Sequence, residues 1–259
     1  MPVEERKRVI EKIRHGGWTT PTSGVLPGYA QANLVVLDKA FAFEFLLYCQ
    51  RNPKSCPVLD VTDPGIAVPA LAGKDADIRS DIPKYHIYRS GEHVETTENM
   101  EHLWTDTSVA FLLGCSFTFE EALIQNGIAI RHNEENCNVP MFKTNIDTVP
   151  AGLFSGPMVV SMRPMKRADA IRAVQVTSRF PDVHGAPVHI GDPSEIGIIN
   201  ITQPDYGDAV TLKEGEIPVF WACGVTPQAA AKANKLDMIT HAPGHMFLTD
   251  IKNETLGVL

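Results

Sequence analysis

Apolar residues recur at helical spacing from Val9 through Ile10 to Ile13 among charges, and the pattern stops at Gly16-Gly17, which predicts a surface helix with a glycine C-cap. Residues 18–33 carry hydroxyls, amides and glycines without periodicity and predict a long functional loop. The apolar run Leu34-Val35-Val36-Leu37 follows. Asp38 is placed to cap a helix through Phe41, Phe45, Leu46 and Tyr48, which has to stop near Asn52-Pro53 because the residue before a proline avoids helical backbone. Pro57–Thr62 reads as a buried strand. Tyr85–Tyr88 and His93–Thr96 alternate about Gly91 and predict a hairpin. After the apolar stretch Val109–Cys115, Thr118-Phe119-Glu120-Glu121 has the form of a capping box opening a helix to Asn126-Gly127.

The pattern changes between residues 128 and 164, where prolines at 140, 150, 157 and 164 punctuate loops around one clear strand, Met158–Met162. A helix near 166–178 would pack through Ala170, Ile171 and Val174. Ile196–Ile201 and Val219–Ala222 return to the buried-strand pattern, and Thr226-Pro227 opens an alanine-rich helix to about Leu236. This order predicts an α/β fold: a layered α/β main domain built from both chain ends, residues 1–117 and 186–259, with an inserted smaller α+β subdomain at 118–185.

Composition narrows the function. The 259 residues are 44% hydrophobic and 21% charged, enough for a full core. A net charge of -8 without a basic stripe argues against nucleic acid as a partner. Five cysteines lack any CxxC pair, and no apolar stretch is long enough for a span or an export signal, so a reducing, cytoplasmic setting without membrane contact is expected. Size and acidity make a homodimer the expected assembly. Neither GxGxxG nor GxxxxGK[ST] occurs, so no nucleotide is implied. Pro243-Gly244 between His241 and His245 argues against the helical spacing that would hold zinc. No metal and no cofactor are expected.

Reactive residues crowd into four junctions that each read as a strand running into a turn: Ser178–Gly185, Val188–Pro193, Trp221–Pro227 and Thr240–Met246. Within and beside these junctions, the runs Gly28–Val35, Cys49–Pro57, Gly114–Phe117, Ser161–Pro164, Gly191–Pro193 and Thr240–Met246 together make the chain resemble the hydro-lyase family, also called the D-glutamate cyclase family. The resemblance spans nearly the whole chain. It implies a two-part α/β fold, a small amino acid or carboxylic acid as substrate and, for some members, cyclisation of D-glutamate to 5-oxo-D-proline with loss of water.

That reaction needs a deprotonated amine, a neutralised γ-carboxylate and an acid for the departing oxygen. Arg163, Arg179 and Lys143, the last beside Asn145, are candidate carboxylate anchors. Ser23, Tyr29, Gln31 and Asn33 in the long loop could supply neutral hydrogen bonds. Cys115-Ser116 before a helix is a candidate anion site. His189, His241 and His245 are candidates for contact with the substrate, with His189 and His245 taking the acid–base role. Asp192 would orient His189. Cys223, ending a strand before a helix start, is expected to have a lowered thiol pKa and a chemical role. Two other readings stay open: another carbon–oxygen lyase or a 5-oxoproline-type amidohydrolase using activated water, and a non-catalytic binder of a small acid.

Overall fold

A computed structural model describes residues 2–258. The first helix, α1 (Pro2–Arg14), ends before Gly16, whose φ of 67° suits glycine. It precedes β1 (Tyr29–Asp38), α2 (Lys39–Arg51), β2 (Val58–Val61), the hairpin β3 (Tyr85–Arg89) and β4 (Glu92–Thr97), and β5 (Ser108–Gly114). Next come α3 (Phe117–Gln125), the single turn α4 (Arg131–Glu134), β6 (Met141–Asp147), β7 (Pro157–Lys166) and α5 (Arg167–Thr177). The remainder holds β8 (His189–Ile190), β9 (Glu216–Ala222), α6 (Thr226–Ala233), β10 (Met238–His241) and β11 (Phe247–Lys252). The fold is mixed α/β, built on two antiparallel sheets.

The first sheet runs β2-β5-β1-β10-β3-β4, with β11 also on β1. Its central strand is buried on both faces because its side chains alternate. Val35 and Leu37 pack with Phe111 and Leu113 against Phe45 and Tyr48 of α2, and Leu34 and Val36 pack with Leu112 against Ile78, Ile82 and Ile87. Asp38 caps α2 by accepting from the Ala40 amide at 2.9 Å, although Leu46 and Phe41 of the predicted face are partly exposed. The predicted buried strand at 57–62 is an edge strand, with Val58 and Val61 partly exposed.

The second sheet runs β6-β7-β9-β8, covered on one side by α3 and α5 through Phe119, Leu123, Ala170, Ala173, Val219 and Trp221. Ile171 is 67% exposed, so α5 packs through Ala170 and Ala173 instead of the predicted Ile171. The strand β9 pairs with β7, and β8 pairs with β9, although both lie in residues 186–259, so the expected division at 185/186 does not coincide with the boundary between sheets.

Residues 196–201 are not a strand. Asp192 accepts from the Ser194 amide at 2.9 Å and starts a 3-10 turn, Pro193–Ile196, which Gly197 ends at φ 80°. Ile196 and Ile198 fold back onto Phe142, Met162 and Phe220 while Ile199 is fully exposed. The 178–185 junction likewise holds the end of α5 and a 3-10 turn instead of a strand, with His184 in left-handed backbone at φ 82°.

Candidate functional site

The two sheets meet where β5 runs into α3 and β9 runs into α6. Here Gly224 lies so close to Asn33 that a Cβ would fall 2.1 Å from the Asn33 amide, so only glycine fits. Asn33 Nδ2 donates to the Gly114 carbonyl at 2.6 Å and joins the ends of β1 and β5.

From β7, Arg163 enters this junction with 0% exposure. Its Nε donates to Glu120 Oε1 at 2.9 Å, Nη1 to Ser161 Oγ at 3.0 Å and Nη2 to Ser116 Oγ at 3.0 Å, with a second contact from Nη2 to Glu120. The rings of Phe119 and Trp221 lie 5.4 Å from its Cζ. His132, 1% exposed, brings Nε2 to 3.2 Å from Glu120 Oε1 but off the line of a hydrogen bond, so the contact is electrostatic and Nε2 keeps no hydrogen-bond partner. Burial raises the Glu120 carboxyl, but His132 and Arg163 together outweigh it and hold the group at about 2.

Glu120 is also the floor of a pocket of about 370 Å³. The roof is the loop Gly24–Gly28 with Tyr29 at the start of β1, and Gln31, Phe117, Glu121, Ile124, Gln125, Asn133 and Asn253 complete the wall. Ser23 Oγ stands 3.2 Å from Glu120 Oε2 and 2.8 Å from Asn133 Oδ1. Gly24, Leu26 and Gly28 have φ of 73°, 52° and 89°, and none of their amide N–H groups donates to another protein group among the described residues. Loops of this kind offer backbone donors to an anion. No Arg, Lys or His lines the pocket among the described residues, nor does any group of three His, Cys, Asp or Glu side chains sit together as metal ligands.

Several sequence-predicted residues gather here. Ser23, Tyr29 and Gln31 line or border the pocket, while Asn33, Cys115, Ser116, Arg163 and Cys223 belong to the buried junction behind it. Their roles differ from expectation. Arg163 is engaged by Glu120 and two serines and does not face an incoming carboxylate. Gln31 stitches the loop, accepting from Thr22 Oγ1 and donating to the carbonyls of Thr22 and Val25. Burial pushes the Cys223 thiol up to about 11 against the pull of the Val225 amide and Arg163, so the expected lowering does not occur. Burial raises the Cys115 thiol as well.

The other candidates lie elsewhere. His241 fills a gap in the ladder of β1 between β10 and β11, its Nδ1 3.1 Å from the Leu34 amide and 3.2 Å from the Leu34 carbonyl. His245 lies between the carbonyls of Pro243 and Thr19. His189 Nε2 is held at 2.7 Å by the Asp192 carbonyl, and the Asp192 carboxylate caps its own turn, so that pair is a local lock. Lys143 pairs with Asp205 on the surface, Asn145 is exposed against Gly197, and Arg179 lies exposed beside a separate groove.

Sequence reading missed Glu120 and His132. The helix starts at Phe117, so Thr118 and Glu121 do not form a capping box: Thr118 Oγ1 accepts from the Gln31 amide and Glu121 accepts from Asn253 Nδ2. The available signal was an acidic residue on an otherwise apolar helix face, Phe117, Phe119, Leu123, which calls for a buried cation.

Two buried rings make the fold sensitive to acid. Burial lowers His184 to about 4 and His241 to about 3, so both are neutral in the folded chain, whereas an unfolded histidine takes a proton below about 6.5. Stability is then lost as pH falls below 6.5, by about 1.4 kcal/mol per unit for each ring. Glu120 adds a further loss only as pH falls from about 4.3 towards its folded value near 2. Urea midpoints are expected to stay nearly level from pH 7.5 to about 6.5 and to fall steadily from there to pH 5.0, and a flat profile throughout would mean that neither ring is held neutral.

Comparison with known proteins agrees with the motif-level likeness. The D-glutamate cyclase family model matches residues 109–250, which include Glu120, His132, Arg163 and Cys223. A protein of Geobacillus kaustophilus is 64% identical over 254 residues, covering 98% of this chain and 97% of that protein. Proteins of Bacillus licheniformis and Bacillus subtilis are each 61% identical, over 95% of both chains and over 98% and 99% respectively. All three bear the name "Putative hydro-lyase". Among solved structures, a nitrogen repressor-like protein of Methanococcus jannaschii overlays 89% of this chain and 90% of its own at a TM-score of 0.38 and 11% identity, too slight a likeness to equate the folds. With 142 consecutive residues (109 to 250) inside the family model and full-length relatives above 60% identity, the chain belongs to the D-glutamate cyclase family.

Proposed function

We propose that this protein is a lyase that closes the amine of a small amino acid onto its own side-chain carboxyl, converting D-glutamate to 5-oxo-D-proline with loss of water. Family membership supports the reaction class. The observation that carries the site is the ionised Glu120 at the floor of the 370 Å³ pocket.

Glu120 seats the substrate ammonium. A carboxyl held near 2 is a weak base, so it binds the ammonium without removing its proton. The unengaged loop amides of Gly24, Leu26 and Gly28 take the α-carboxylate, and Asn133 and Gln125 offer neutral hydrogen bonds to the γ-carboxyl. Two protons of the ammonium go to the oxygen that leaves as water, relayed in turn by the His132 ring behind Glu120, and one N–H stays on the ring nitrogen.

The test is a proton NMR time course of purified, chelator-treated protein given D-glutamate, L-glutamate and the two 5-oxoproline enantiomers separately. Ring closure of D-glutamate alone is the expected result. Absence of turnover on all four, with and without added zinc or manganese, would sink the reading.

A further inference from the structure

We propose that the site also closes γ-linked D-glutamyl amides, releasing an amine in place of water, and that the leaving part lies along α3 towards Arg172 and Arg179. This rests on the reading of the site given above and extends its substrate class.

The first reason is charge. Free D-glutamate brings two carboxylates into a pocket where Arg163 already neutralises Glu120 from behind, Glu121 has no cation beside it, and no cation lines the wall among the described residues. The loop amides can accept one carboxylate. A second beside Glu121 is opposed, whereas a γ-amide puts a neutral carbonyl at that place.

The second reason is shape. The pocket shares Gly28, Glu121, Gln125 and Asn253 with a depression of about 170 Å³. That depression shares Ala122, Gln125, Phe180 and Glu254 with a groove of about 740 Å³ between α3 and α5. From Glu120 to Asn126 the path along the helix is roughly 9 Å, the span of two to three extended residues and longer than glutamate alone needs.

The third reason is what stands at the far end. Arg172 and Arg179 line the groove with Glu254, both exposed and neither ion-paired with a carboxylate among the described residues, while Arg172 Nη1 is steadied on the Asn126 carbonyl at 2.8 Å. Two guanidinium groups suit the terminal carboxylate of an amino acid joined to the γ-carbonyl.

The chemistry balances without a co-reactant. The α-amine nitrogen forms a bond to the γ-carbonyl carbon, the γ-carbon–nitrogen bond breaks, and the proton given up by the attacking amine goes to the departing one. The products are 5-oxo-D-proline and a free amino acid. An amine departs from a neutral amide more readily than oxide departs from a carboxylate.

The experiment compares kcat/KM for D-glutamate, γ-D-glutamyl-glycine and γ-D-glutamyl-methylamide by proton NMR. The dipeptide is expected to exceed the methylamide by about tenfold, the worth of one charge-assisted carboxylate contact, and the Arg172→Ala/Arg179→Ala variant to bring it down to the methylamide level. Turnover of D-glutamate with neither amide cleaved would overturn this inference and leave the cyclase reading standing. Equal rates for the two amides, or a dipeptide rate unmoved by the double variant, would remove the arginine groove. Turnover of no compound would overturn both proposals together.

Discussion

Arg163→Ala is expected to lower the free energy of unfolding by about 3–5 kcal/mol, the loss measured when one partner of a buried ion pair is removed. Glu120 would keep only the His132 ring beside it in place of its guanidinium partner, and the hydroxyls of Ser116 and Ser161 would lose their donor. At ~2–4 °C of Tm per kcal/mol for a chain approaching this size, the shift is easily seen by calorimetry. The informative companion is Arg163→Met with Glu120→Leu. Removing both charges relieves the uncompensated desolvation, so the double variant is expected to recover most of the lost stability while having no activity. A double variant no more stable than Arg163→Ala would show that the damage comes from lost packing against Phe119 and Trp221, and that the ion pair contributes little to the junction.

Glu120→Gln is expected to lower kcat/KM for D-glutamate by about 2–5 kcal/mol, roughly thirtyfold to several thousandfold, because a buried charge loses its opposite partner. Glutamine keeps the shape, leaves Arg163 a carbonyl to donate to, and removes the seat of the substrate ammonium. Since that seat acts on bound substrate as well as on the transition state, much of the loss should appear in KM. Glu120→Asp keeps the charge but draws it back by one methylene and should fall between the two. If Glu120→Gln turned over D-glutamate at the rate of the parent protein, the ammonium would have to bind elsewhere and the 370 Å³ pocket would lose its claim.

Much of the fold was legible because its signals are local. Asp38 before an apolar helix, the glycine between two alternating runs at 85–96 and Thr226-Pro227 ahead of alanines each act within a few residues, and each element stands where they place it. The local signals also misled. Asp192-Pro193 starts a turn that cancels the strand pattern of Ile196–Ile201, and His189 and Asp192 are close in sequence because they lock one loop. The centre of the site is long-range. Glu120 of α3 meets His132 across a loop and Arg163 from β7, a pairing that no spacing announces. Arg163 and Ser116 do lie together in this constellation, but the charge Arg163 neutralises is the protein's own. Cys223 shows the same limit: its place before a helix predicts a reactive thiolate, and the depth at which β9 and α6 bury it reverses the shift.

The central position of β1 reaches back to how the chain is made. Its backbone is claimed on one edge by β5 and on the other by β10 and β11, whose residues, 238–252, emerge from the ribosome long after residues 29–38. At ~5–20 residues per second, roughly 10–40 s pass between synthesis of the strand and of its second set of partners. Throughout that interval a strand carrying the apolar run Leu34-Val35-Val36-Leu37 has at least one open edge, the template on which nascent chains pair wrongly with one another. Yield in a living cell thus depends on whatever shields that edge during translation, and on the speed of the ribosome over the intervening codons.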